Sequence, residues 1–247
     1  MKAWIHTRRW PLWYSGLVFE DIKQQLLVAK TLVEIVAIWI LSDIGYYLLR
    51  LLPGTSGLYS NYPVVMALYY MFWVWVAFRT FRSLYQNWRM VEVRTSMFVL
   101  IGVALVGVFC YVVYVLPAFP PIHWAYQWTP PSELLYASPW YFLPKSIDIA
   151  LQQLLIAAMV LVFELRKWPI KTIAAWSAGL FGGIHLLLVF GGSSLAYTFF
   201  FTASAVVAGY IFPYLMLRVR NGFLYSYFLH WGFYAAVIVL ARFIVST

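Results

Sequence analysis

Seven times along its 247 residues this chain runs into an apolar stretch long enough to cross about 30 Å of hydrocarbon at about 1.5 Å of helix rise per residue. The stretches run roughly Ala29 to Leu52, Tyr62 to Phe78, Ser96 to Leu116, Ile147 to Phe163, Thr172 to Phe190, Leu195 to Leu217 and Phe223 to Val245. Inside a bilayer each backbone N–H and C=O must find its partner within the protein, and a helix satisfies this locally. Hydrophobic residues make up 64% of the chain and charged ones only 10%, and the mean hydropathy is +0.80, all far from soluble averages. The expected fold class is all-α, a polytopic transmembrane helix bundle of about seven spans.

The net charge of +9 is too scattered for a nucleic-acid footprint. Of the 17 Lys and Arg residues, all but Arg50, Lys145 and Arg242 fall on one side of the alternating spans. That imbalance predicts a cytoplasmic amino terminus and an outside carboxyl terminus, in an inner or plasma membrane. Nucleic acid is excluded as a partner; lipid and other transmembrane proteins are expected.

Four regions follow. Residues 1–28 mix Trp4, Trp10, Trp13 and Tyr14 with Arg8 and Arg9. They read as a retained interfacial segment on the cytoplasmic side, without the pattern of a cleavable signal. Residues 29–116 hold three helices ahead of the recognisable core. Residues 117–146 form an outer loop rich in Pro, Trp and Tyr, expected to lie flat on the membrane interface and to suit a protein contact. Residues 147–247 hold the last four spans. The single Cys110 excludes an intramolecular disulfide and is expected to be a small core residue.

Three segments in the last region carry a pattern: IALQQLLIAAMVL, LFGGIHLL and GYIFPYLMLRVRNGFLYSYFLHWGFY. In this order they resemble the CPBP family, the CAAX-protease and bacteriocin-processing group of intramembrane glutamic proteases, over roughly the last two fifths of the chain. The resemblance sets Gln152 and Gln153 at the family's two glutamates and Ala157 at its arginine. Phe181 and His185 match the Phe-x-x-x-His motif, and His230 matches the last histidine with Tyr234 where Asn or Asp belongs. In that family the first glutamate activates water, and the histidines and Asn orient water and hold the oxyanion. A carboxamide cannot accept a proton from water as a carboxylate does, and losing a general base alone removes about 10²- to 10⁴-fold in rate. The resemblance therefore implies a four-helix protease-like core without a catalytic residue, a vestigial site of Gln152, Gln153, His185, His230 and Tyr234.

Two carboxylates are candidate replacements. Glu164 stands eleven residues beyond Gln153, about 16 Å along a helix, beside Arg166 and Lys167 at the membrane boundary. Asp43 falls near mid-membrane, where an ionisable group is a functional candidate. It is expected either to be held by Tyr46, Tyr47 and Arg242 or to serve, with His185 and His230, a divergent peptidase. Glu34 is expected to pair with Lys30 one turn away. The two intramembrane histidines need partners, and Gln152, Gln153 and Tyr234 are expected to supply them in an uncharged network. They are also candidate ligands of a haem or chlorophyll-type pigment; a closed zinc site is not expected, and His6 and His123 lie on opposite faces.

A retinal protein would need a lysine in the last span, and a transporter paired broken helices in both halves; neither pattern is present. Gly179, Gly182 and Gly183 are expected to let helices approach closely. The functional expectation is a non-catalytic, pseudoprotease-like subunit or scaffold of a membrane complex.

Overall fold

The computed structural model describes residues 12–52, 57–86, 88, 95–119, 134 and 137–246; the side chains of 12–24, 95–98, 100 and 244–246 lie outside that description. His6, His123, Arg89, Arg94, the amino-terminal tryptophans and most of the 117–146 loop therefore fall outside it too. Among the described residues all regular structure is helical. Seven long helices carry the fold: α1 (Leu12–Arg50), α2 (Pro63–Thr80), α3 (Thr95–Cys110), α4 (Phe142–Leu165), α5 (Ile170–His185), α6 (Leu195–Arg218) and α7 (Gly222–Ser246). Six helical segments among the described residues are long and apolar enough to cross a membrane, the signature of a multi-pass membrane protein. The expected first span is not among them; it is the second half of α1, which runs unbroken for 39 residues, so lead-in and span are one helix.

The segment Pro139–Leu165 is the axis of the bundle, 78% buried, whereas Ile101–Ala118 is only 6% buried and lies at the rim. Its position explains Cys110, which is exposed rather than part of the core. The rim helix does not end as a plain α-helix: Tyr111–Val115 form a π turn. Pro117 has no N–H to give the Val113 carbonyl, which loosens the ladder there. The turn carries Tyr111 inward, where its hydroxyl donates to the Ala235 carbonyl of α7 at 2.9 Å.

Similar ties recur through the bundle. Tyr69 donates to the Ser42 carbonyl, Tyr85 to Leu154, Trp88 to Met216 and Tyr227 to Ser146, each linking two elements through a carbonyl's second lone pair. Where α5 and α6 pack most closely, a Cβ on Gly209 would meet the Ala178 Cα and Ser177 carbonyl at 2.9 Å, and one on Gly182 would strike Val206. Gly179 and Gly183 face open space, so of the three expected contact glycines only Gly182 acts as one. Lys30 and Glu34 pair at 3.7 Å on the surface as expected.

Candidate functional site

The fourth span begins earlier than its hydropathy indicates. A 3₁₀ turn at Pro139–Tyr141 leads into α4 at Phe142, and Pro144 fits the first turn because that N–H would be unpaired anyway. The early start draws Lys145 into the bundle, one turn before Asp148. Lys145, expected in the outer loop, is 7% exposed, and its Nζ donates to Asp148 Oδ2 at 2.8 Å. Asp148, one turn before Gln152, is a site residue that the apolar pattern of this span hides. The spacing of Lys145, Asp148 and Gln152, three and then four residues, puts all three on one face of α4.

Asp148 is held on both oxygens. Gln152 Nε2 donates to Oδ1 at 2.9 Å, and the Tyr59 hydroxyl lies 3.2 Å from Oδ2 and 2.6 Å from the Tyr70 hydroxyl. Lys145 Nζ also stands 4.0 Å above the Tyr234 ring. The network expected to be uncharged therefore contains a buried ion pair. Gln152 serves that pair rather than a histidine, because a buried carboxylate demands partners more strongly than an imidazole does, and Tyr234 meets both the ammonium and His230.

Gln153 does meet a histidine. Fully buried, it sets Nε2 3.1 Å from Nδ1 of His230 and Oε1 3.0 Å from the Ser226 hydroxyl. An amide nitrogen only donates, so Nδ1 of His230 is the acceptor and the ring proton sits on Nε2. Ser226 lies one turn before His230 on α7, also 2.8 Å from the Phe223 carbonyl. His185 takes a different partner: its Nδ1 faces the Phe181 carbonyl one turn earlier at 2.7 Å, and a carbonyl only accepts, which leaves Nε2 bare.

The Phe181 ring touches both imidazoles edge-on, with centroids 4.8 Å from His185 and 5.7 Å from His230, and Tyr234 stacks on His230 at 5.5 Å. Helices α4, α5 and α7 thus meet at these side chains. Beside them, between α5, α6 and α7, opens a cavity of about 500 Å³ lined by Phe181, His185, His230, Tyr234, Ser204 and apolar residues of α6 and α7. Ala157, at the expected arginine position, is buried without a polar group to offer.

The carboxylates do not complete a hydrolytic set. Asp43 lies close enough to Asp148 and Lys145 to feel both charges, but neither imidazole is hydrogen-bonded to it. Its expected partner Arg242 is occupied elsewhere, donating to the Leu116 carbonyl at 2.9 Å, to Phe119 at 3.4 Å and to Ala137 at 2.6 Å. Common depth did not bring the two together, because α7 turns this face toward the end of α3. Glu164 is exposed at the far end of α4. Among the described residues no group of three His, Cys, Asp or Glu could hold a metal ion. Comparison with family models, with curated proteins and with solved structures finds no match to this chain.

Proposed function

We propose that this chain is a non-catalytic integral membrane subunit, a scaffold whose polar centre sets the packing of its own helices and whose rim helix meets a partner. The observation that carries the reading is Gln153. Both ends of its amide are engaged by α7, at a position where hydrolysis would need a base free to take a proton from water. The nearby acid, Asp148, is likewise spent, held by Lys145, Gln152 and Tyr59. On the likeness to intramembrane glutamic proteases, such a centre is the remnant of a reaction site turned to structure.

The scaffold half of the proposal rests on α3. Its exposed Val103, Val106 and Phe109 offer a continuous apolar helix face that the bundle itself leaves uncovered. A photoreactive amino acid placed at Val103 or Val106 in the native membrane should crosslink to a second membrane protein. Adducts with lipid alone, or peptidase turnover lost on replacing His185 or His230, would overturn the reading.

The divergent peptidase remains the competing proposal, with Asp43 as its acid. It requires Asp43 to serve His185 or His230, whereas the imidazoles take Phe181 and Gln153 as partners and the charges Asp43 feels are those of Asp148 and Lys145. A haem- or pigment-binding subunit is the third, and visible absorbance lost in His185→Ala or His230→Ala would support it.

A further inference from the structure

We infer that the cavity between α5, α6 and α7 is a binding site for a single-chain lipid whose head carries neutral hydroxyl groups, a monoacylglycerol-like molecule. The two imidazoles that line it are used by the protein only through Nδ1. Neither Nε2 has a hydrogen-bond partner among the described residues, and both rings line the cavity. Because of what each Nδ1 faces, the two free nitrogens differ: His230 presents an N–H donor and His185 a bare acceptor. A head group that satisfies both must accept one hydrogen bond and donate another, which hydroxyls do and a ketone, ether or quinone does not.

The rest of the cavity selects the body of the ligand. Apart from Ser204 on α6 and Tyr234 on α7 its walls are aromatic and aliphatic, with Phe200, Phe201, Phe212 and Phe233 around the imidazoles. Its mouth lies between α6 and α7, where Val207 is 61% and Leu229 47% exposed on the surface a bilayer would cover. At about 30 Å³ per water-sized group, 500 Å³ holds about 16 such groups. That accommodates a head and the first part of one chain, with the remainder leaving through the mouth into lipid. An ionised head is disfavoured, since the one ammonium near the site, Lys145, is already matched by Asp148 and an unpaired charge among apolar walls is costly. The site stands on the cavity and the two tautomers, so it holds whether or not α3 has a partner.

The test is photolabelling of the purified full-length protein by a monoacylglycerol carrying a diazirine in its chain. Label should fall on α6 and α7 and be displaced by unlabelled monoacylglycerol. The O,O-dimethyl ether of the same lipid accepts but cannot donate, and should compete about tenfold less well, as should the free fatty acid. An alkane of equal length should compete least. Ala208→Trp, which fills the cavity from α6, should abolish the label. Equal competition by the ether or the alkane, or label spread over the outer helices, would overturn the site; the competitor series in the unmutated protein decides this even where the tryptophan variant fails to fold.

Discussion

Gln153 on α4 and His230 on α7 meet nitrogen to nitrogen, Nε2 to Nδ1, at 3.1 Å, and this contact fixes the tautomer of a buried histidine. Removing the amide leaves Nδ1 without a donor in a site closed to water. Gln153→Ala should therefore cost about 1–3 kcal/mol, read as a lowered unfolding midpoint in detergent. Gln152→Ala should cost about 1.5–3 kcal/mol, because Gln152 donates to the buried Asp148 carboxylate. An unchanged midpoint in either variant would show that its amide has no structural weight.

The three charges near the centre should respond in opposite directions. Asp148→Asn strips Lys145 of its counter-charge inside the bundle and should destabilise by about 3–5 kcal/mol, as should Lys145→Met. The double variant Lys145→Met with Asp148→Leu should recover most of that loss, since apolar groups replace a pair that had to be desolvated. Asp43→Asn should not lower the midpoint, because Asp43 and Asp148 repel each other. Thermal unfolding of the four variants checks the set, and a large loss in Asp43→Asn alone would contradict it.

Close approach of α5 and α6 gives a sharp contrast between two glycines. In Gly209→Ala the new methyl meets backbone atoms of Ala178 and Ser177 at 2.9 Å, and the helices must separate at a cost of about 1–3 kcal/mol. Gly179→Ala meets nothing and should stabilise by about 0.5–1 kcal/mol through helix propensity. The difference in unfolding midpoint between the two variants measures the contact.

Much of this architecture was legible in the amino acids. Apolar length alone located α2, α6 and α7 to within a few residues at both ends, because hydrocarbon thickness leaves a spanning helix little freedom, while α3, α4 and α5 each depart at one end. The pairing of Gln153 with His230 across two helices was within reach for the same reason: both lie at similar depth. What escaped was lateral placement. Lys145 reads as a topological charge because Pro139 and Pro144 mask the true start of α4, whereas Asp148 lies inside the apolar stretch from Ile147, at a spacing to Gln152 that is plain in the sequence. Arg242 seemed to match Asp43 by depth, but depth says nothing about which way a helix turns its face. The π turn at Tyr111–Val115 had only Pro117 as a signal.

Arg242 ties α7 to the turn that follows α3 through the Leu116 and Phe119 carbonyls, both on one nitrogen, and to the segment before α4 through the Ala137 carbonyl. Arg242→Lys offers one ammonium where a planar fork spans separated acceptors, and should free the Leu116–Phe119 turn. Hydrogen exchange of these amides should rise about tenfold or more, as loss of charged hydrogen bonds of about 1.5–3 kcal/mol implies. Unchanged protection would show that the π turn is held by packing alone.

The mass of the assembly released from its own membrane by mild detergent tests the scaffold reading most directly. The chain itself weighs 28.7 kDa. The account predicts a larger particle containing at least one different membrane protein in fixed ratio. A particle of one chain, or of this chain in multiples of itself, would contradict it.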